Sequence, residues 1–170
     1  VVIGHEMTHG FDDSGRQFDK NGNMSDWWTP EDAEKFKGLA DKLVAQFDAV
    51  EVAPGVHANG RFTLGENIAD QGGLRVALTA YLDSMKENNK SMEDIDGFNP
   101  IQRFYLAYAN VWANNIREEE ILSRTKTDPH SLGENRVNVS LRNLQPFFDA
   151  FDIKDGDAMY RQIDDRVIIW

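Results

Sequence analysis

Two histidines near the start of the chain have a spacing that would let them share one metal ion. The run His5-Glu6-Met7-Thr8-His9 is an HExxH motif. On a helix, residues four apart lie on one face, so both imidazoles can reach the same ion. Glu6 is rotated by about 100° from His5, which leaves its carboxylate beside the ion, where a base takes a proton from water. The motif predicts metal-assisted hydrolysis; the alternative is a surface helix with two chance histidines.

A zinc site that performs hydrolysis needs a third protein ligand and an open position for water. Glu66 and Asp70 offer suitable carboxylates, because their i and i+4 spacing places both on one face of a second predicted helix. Glu66 can bind one Zn²⁺ ion together with His5 and His9, and Asp70 can accept the free ring N–H of a ligating histidine. The alternative is an exposed acidic helix face, which the apolar neighbours of these two acids disfavour.

A third group of polar residues lies between positions 128 and 136. Hydrolysis of a peptide builds negative charge on the carbonyl oxygen, and the ring N–H of His130 and the guanidinium of Arg136 could stabilise that charge. Asp128 could orient His130, as carboxylates do for catalytic imidazoles. Taken alone, a histidine in a loop is more often structural than catalytic.

Composition limits the remaining possibilities. The 170 residues suit one domain, spanning 1–170, and the 18 basic against 29 acidic residues give a net charge of −11. This acidic balance argues against a nucleic-acid partner. The absence of cysteine excludes disulfides, thiol nucleophiles and cysteine-ligated zinc. The longest apolar runs are too short to span a bilayer, so no membrane contact is expected within this segment.

The beginning of the chain lacks an initiator Met, a basic region and a cleavage site of the kind found in signal peptides. The metal motif starts only five residues in, and no residue caps the helix that would carry it. We therefore expect a fragment of a longer protein, with any targeting signal or membrane anchor in the part that precedes it.

The elements that must position these residues are predicted to be mostly helical. Thr29-Pro30 and Asn99-Pro100 are helix start signals, because a capping side chain precedes a proline at the first helical position. Gly72-Gly73 would let the second metal helix approach the first closely. The expected helices span about 2–13, from 30 until a Gly/Pro/Asn stretch at 54–60 breaks the helix, 66–86 and 100–112. Weaker helical patches lie at 134–143 and 145–152. Residues 15–28 are expected to form a loop or hairpin that turns at Asn21-Gly22.

The motifs together resemble those of the neprilysin and endothelin-converting enzyme family of zinc metallopeptidases. Residues 2–13 (VIGHEMTHGFDD) look like its zinc motif, 64–70 (LGENIAD) like its second zinc motif, and 128–137 (DPHSLGENRV) like its substrate-stabilising segment. The final Trp170 matches the family's last residue. The similarity covers nearly the whole chain, in the family's order and spacing.

This resemblance implies a mainly α fold, the C-terminal part of a thermolysin-like (gluzincin) catalytic domain truncated before its N-terminal sheet. It implies zinc-dependent cleavage of oligopeptides on the N-terminal side of large hydrophobic residues. The implied roles are zinc binding by His5, His9 and Glu66, general base catalysis by Glu6, support of His5 by Asp70, oxyanion stabilisation by His130, binding of a substrate carbonyl by Arg136, and an apolar pocket at Val111, Trp112, Val1 and Val2.

Some features depart from the family pattern. Val167 stands where vertebrate members have a cysteine, which indicates a bacterial-type member, and Leu132 replaces a common proline in the loop that holds His130. The upstream strand that pairs with substrate backbone is absent from this sequence. The alternative is therefore that the isolated fragment is a zinc-binding module without catalysis. The family is mostly extracytoplasmic, and the resemblance implies that compartment; the oligomeric state stays open.

Overall fold

The computed structural model describes all 170 residues and confirms a mainly helical chain. Seven α-helices are joined by loops and short 3₁₀ turns, and the β-structure is one small antiparallel hairpin. The elements are α1 (Val2–Thr8), α2 (Pro30–Asp48), β1 (Glu51–Ala53), β2 (Val56–His57), α3 (Leu64–Glu87), α4 (Pro100–Trp112), α5 (Glu118–Thr127), α6 (Gly133–Leu141) and α7 (Gln145–Phe151).

Two helices begin where their capping residues predict. The Thr29 hydroxyl accepts a hydrogen bond from the backbone N–H of Asp32 at 3.1 Å, at the start of α2. Asn99 and Gln102 form a reciprocal capping box at the start of α4, with both bonds at 2.9 Å. These side chains satisfy backbone donors that have no partner within the helix, which fixes where each helix starts.

Several sequence-based boundaries are wrong in detail. The first helix ends at Thr8 and is followed by a 3₁₀ turn over His9–Phe11. Asp12 then adopts an extended conformation, so the helical segment does not reach residue 13. The second helix ends at Asp48, before the stretch at 54–60 that was expected to break it, and the β1–β2 hairpin follows, with a turn at Gly55 whose φ is +72°. Helix α5 was not expected, since its surface is polar and none of its residues is buried.

The core has two parts, one beside the first half of α3 and the other farther along the same helix. One lies between α2, α3 and α6, and the other between α3, α4, α6 and α7. The first consists of Phe36, Ala40, Leu43, Val44, Phe47, Leu64, Ile68, Val139 and Val167; the second consists of Leu74, Leu78, Tyr105, Tyr108, Val137, Leu141, Leu144, Phe147 and Phe148. Both parts hold α3 and α6 in fixed positions, and these helices carry much of the predicted site.

Helix α1 packs mainly against α3, and glycines make the close approach possible. A Cβ atom on Gly73 would lie 2.6 Å from the backbone nitrogen of His5, and one on Gly72 would lie 2.5 Å from the Thr8 side chain. A Cβ on Gly4 would lie 3.1 Å from the Cα of Gly73. The two helix backbones therefore touch beside the HExxH motif.

None of the helices combines the length and the apolar composition that crossing a bilayer would require.

Replacing Gly73 with Ala tests this contact. The added methyl group would collide with backbone atoms of His5, which cannot rotate away as a side chain can, so we expect a loss of about 1–3 kcal/mol in the free energy of unfolding. Urea unfolding followed by circular dichroism measures the change. Gly38→Ala is the matched control, since Gly38 is exposed on α2 with open space around it. That variant should gain about 0.5–1 kcal/mol. Equal stability of Gly73→Ala and wild type would show that the helices are not in backbone contact.

Candidate metal centre

Two helices bring together the three predicted metal ligands. Helix α1 presents His5, the 3₁₀ turn that follows it presents His9, and the first turn of α3 presents Glu66. The Nε2 atoms of the two histidines are 3.1 Å apart. Glu66 places one carboxylate oxygen 3.1 Å from Nε2 of His5 and the other 3.5 Å from Nε2 of His9. One ligand atom from each residue lies within 4.8 Å of the others, as a shared metal ion requires.

The opposite nitrogen of each imidazole faces a carboxylate. Nδ1 of His5 is 2.9 Å from Asp70, as the sequence predicts, and Nδ1 of His9 is 2.7 Å from Asp12. A carboxylate at Nδ1 holds the proton there and leaves the Nε2 lone pair free to bind a metal. The other oxygen of Asp12 accepts hydrogen bonds from the backbone N–H groups of Ser14 and Gly15, so its orientation is fixed.

Asp12 was given no role in the sequence interpretation. The feature of the sequence that could have indicated this contact is the position of Asp12, three residues after His9. From there the aspartate side chain can reach back to the imidazole of His9. The turn at residues 9–12 that makes this possible depends on the local backbone, so the HExxH spacing alone does not reveal it.

The donor set fits a divalent cation. Two imidazole lone pairs and a carboxylate point into one small space, and they would repel one another without a positive charge between them. One Glu66 oxygen is buried, and it faces the Nε2 atoms of His5 and His130 at 3.1 and 3.3 Å. Imidazole nitrogen and carboxylate oxygen are typical zinc ligands.

The electrostatics of the same residues also favour positive charge. Burial lowers the pKa of His5, but hydrogen bonds to Asp70 and Glu66 and the charges of both acids outweigh it and raise that pKa from 6.5 to about 9. Burial raises the pKa of Glu66, yet its bond to His5 and the nearby charges of His130 and His9 bring it below the ordinary value. The two acids therefore stabilise positive charge at His5.

Arg136 lies directly behind the ligands. Its Nε and Nη2 atoms donate to the two oxygens of Asp70, both at 2.7 Å, and its Cζ atom lies 3.9 Å from the centre of the Trp112 ring. Asp70 thus bridges Arg136 and His5. The Nη1 atom of Arg136 makes no hydrogen bond within the chain, although the side chain is nearly fully buried.

His130 approaches the metal ligands from the loop that precedes α6. Its Nε2 atom is 3.3 Å from Glu66, and its Nδ1 atom is 2.7 Å from Asp128, which also accepts its backbone N–H. Burial is the largest single influence on Asp128 and raises its pKa, but the bonds to His130 and the guanidinium of Arg124 together outweigh it and lower that pKa to about 2. Arg124 belongs to the unexpected helix α5, so the sequence interpretation did not include it.

The other predicted residues surround this cluster. Glu6 is exposed on α1 and is not among the ligands. Val1, Val2, Val111 and Trp112 line one open cavity of about 430 Å³, together with Tyr81, Phe104, Ala107 and Tyr108 and a single charged residue, Arg103. The four predicted pocket residues therefore lie together, on a largely apolar surface.

This arrangement could hold a metal ion between two histidines and a glutamate, and comparison with known proteins shows the family to which the chain belongs. The model of peptidase family M13 matches residues 1–167. The chain is 43% identical over 163 residues to neprilysin from Mus musculus, covering 94% of this chain, and 39% identical over 170 residues to a neutral endopeptidase from Lactococcus lactis subsp. cremoris, covering all of it. The chain belongs to peptidase family M13.

Solved structures give the same result. The zinc metalloprotease Zmp1 of Mycobacterium tuberculosis, in complex with an inhibitor, superposes with a TM-score of 0.93 at 40% identity over 99% of this chain. PepO from Lactobacillus rhamnosis superposes with a TM-score of 0.83 at 36% identity over 98% of this chain. The fold is therefore that of part of an M13 metalloprotease domain, as the motifs predicted.

The chain covers only part of these relatives. It spans 22% of mouse neprilysin, 25% of the Lactococcus protein and 26% of the Zmp1 chain.

Asp12→Asn tests the contact with His9. The substitution keeps the side-chain size but removes the negative charge that holds the Nδ1 proton, so we expect zinc affinity to fall about 10–100-fold. Competition with a chromogenic chelator measures the affinity. Asp26→Asn, at an exposed aspartate, is the matched control and should bind zinc like wild type. Unchanged affinity in Asp12→Asn would remove Asp12 from the support of the site.

Proposed function

We propose that the protein carrying this chain is a zinc-dependent endopeptidase and that this segment supplies its metal ligands and main catalytic groups. The observation that carries the proposal is the convergence of His5, His9 and Glu66 on one point, with Asp12 and Asp70 on the far side of the two rings. The names of the M13 relatives, neprilysin, neutral endopeptidase and zinc metalloprotease, support hydrolysis of peptides as the reaction.

His5, His9 and Glu66 would hold the zinc ion, and three protein ligands leave a coordination position open. When bound, zinc supplies a Lewis acid that polarises the scissile carbonyl and makes water a better nucleophile near neutral pH. Asp70 and Asp12 keep the two imidazoles in the tautomer that presents Nε2.

Glu6 acts as the general base in this proposal. It follows His5 directly on α1, so its side chain leaves the helix about 100° away from the ligand face, and it is exposed to a peptide and to water. Its carboxylate takes a proton from the attacking water and then delivers a proton to the leaving amine.

His130 donates a hydrogen bond to the carbonyl oxygen as negative charge develops there. Asp128 accepts a hydrogen bond from Nδ1 of this ring, so Nε2 is the atom left to face the substrate. The ring must turn so that Nε2 moves from Glu66 toward the substrate. Donation from Nε2 requires a proton on that atom, and the carboxylate of Asp128, whose pKa is lowered to about 2, places negative charge beside the ring. The ring is partly exposed, which gives the substrate access to it.

Arg136 and the apolar cavity would position the peptide. Asp70 fixes the guanidinium of Arg136 by two hydrogen bonds, which leaves Nη1 to donate to a substrate backbone carbonyl. The cavity lined by Val1, Val2, Val111 and Trp112 would take the side chain that follows the scissile bond. Its apolar walls favour cleavage on the N-terminal side of large hydrophobic residues.

We also propose an extracytoplasmic location, which rests on the family resemblance.

A zinc-binding module without catalysis is the second candidate, for this segment taken alone. The observation that favours it is the length of the relatives, of which the chain spans about a quarter. A peptide assay of the isolated segment and of the full-length protein on one hydrophobic peptide separates the two candidates. If the full-length protein cleaves the peptide and the isolated segment does not, the segment alone is a zinc-binding module without catalysis.

Glu6→Gln in the full-length protein tests the base. The amide keeps the side-chain size but cannot take a proton, so we expect kcat to fall at least about 100-fold while zinc is retained. Peptide turnover and metal content are measured on the same sample. Full zinc occupancy with near wild-type turnover would show that Glu6 is not the base.

His130→Ala tests the oxyanion donor. Loss of one such donor should lower kcat about 100- to 1,000-fold, and zinc content should not change because His130 is not a ligand. His57→Ala is the control, since His57 is an exposed histidine on β2 away from the ligands. Equal effects of the two substitutions on kcat would contradict a role for His130.

A further inference from the structure

A group of arginines lies where the end of α6 meets the C-terminal segment. Arg142 follows the last residue of α6 and donates from Nη2 to the backbone oxygen of Tyr160 at 3.1 Å. Arg161 donates from Nη1 in the opposite direction, to the side-chain oxygen of Asn143 at 3.2 Å. Residues 142 and 143 are neighbours, as are 160 and 161, and Arg161 experiences the charge of Arg142, so the two guanidinium groups lie near each other. Arg166 adds a third, bonded through Nε to the backbone oxygen of Arg161 at 3.0 Å.

These positive charges have no counter-charge in contact. Every hydrogen-bond acceptor named above is a neutral amide or carbonyl oxygen, and none of the three arginines forms an ion pair with a carboxylate. Asp165 is the carboxylate whose charge Arg161 experiences, and it lies beyond ion-pair distance. The chain as a whole carries an excess of acids, so three unpaired arginines in one half-buried place are unusual.

The side chains also keep unused donors. The Nε atom of Arg142 is buried and has no hydrogen-bond partner in the chain, and Arg161 makes no bond through Nε or Nη2. Burial and the like charge of Arg142 lower the pKa of Arg161 to about 10. The charge of Arg142 therefore destabilises that of Arg161, and a bound anion would offset this repulsion and accept hydrogen bonds from the unused donors.

We propose that Arg142 and Arg161 form a binding site for a small polyvalent oxyanion of the sulfate or phosphate class. Such an anion offers several acceptor oxygens to the N–H groups of two guanidiniums and carries two negative charges to offset them. A monocarboxylate offers one charge and should bind more weakly. The site is separate from the candidate metal centre, because no residue belongs to both.

The test uses sulfate and the full-length protein, because phosphate could also compete for zinc. Isothermal titration calorimetry at constant ionic strength should give saturable sulfate binding to wild type. Arg161→Gln and Arg142→Gln should each weaken it at least about tenfold, while Arg75→Gln, at an exposed arginine of α3, should leave it unchanged. Acetate at the same ionic strength should give at least tenfold weaker binding than sulfate.

Thermal unfolding supplies a second readout if a variant is less stable. Sulfate raises the stability of most proteins by exclusion from their surface, so the sulfate-dependent rise in Tm must be larger for wild type and Arg75→Gln than for Arg161→Gln. Absence of saturable binding to wild type would overturn the proposal. An equal sulfate response in wild type and Arg161→Gln would overturn it as well.

Discussion

The backbone contact between α1 and α3 brings His5 to the two carboxylates of α3 on which the proposed metal site depends. Gly73 has no room for a side chain against His5, and Gly72 has none against Thr8, so the two helices meet closer than side chains would allow. His5 then lies within hydrogen-bond distance of Asp70 and of Glu66, one turn earlier on α3. A larger separation would leave the carboxylate out of reach, and the two histidines alone would be a weak metal site.

Carboxylates extend this contact into a network of fixed charges. Asp70 is shared between His5 and Arg136, Asp12 holds His9, and Asp128 holds His130. Each acid restrains a ring or a guanidinium whose position matters for the proposed chemistry, and each is itself restrained by further hydrogen bonds. Groups fixed in this way need little reorganisation as charge develops on a substrate, which is how a preorganised site lowers a barrier.

Much of this could be predicted from the sequence, because local rules govern it. The caps at Thr29 and Asn99 predicted two helix starts, and the four-residue spacing in the HExxH motif predicted that His5 and His9 approach each other, although His9 lies in the 3₁₀ turn after α1. What could not be predicted depends on contacts that have no fixed spacing. Asp12 reaches His9 through a 3₁₀ turn, and Arg124 reaches Asp128 from a helix without a buried residue, which gives no hydrophobic pattern to detect.

The claim that His5, His9 and Glu66 hold one zinc ion is tested most directly by zinc K-edge X-ray absorption of the full-length protein. The account predicts one zinc per chain, with two imidazole nitrogens at about 2.0–2.1 Å and oxygen ligands at about 2.0–2.2 Å in a low coordination number. A spectrum that shows a single imidazole, three or more imidazoles, or zinc without protein nitrogen would contradict it.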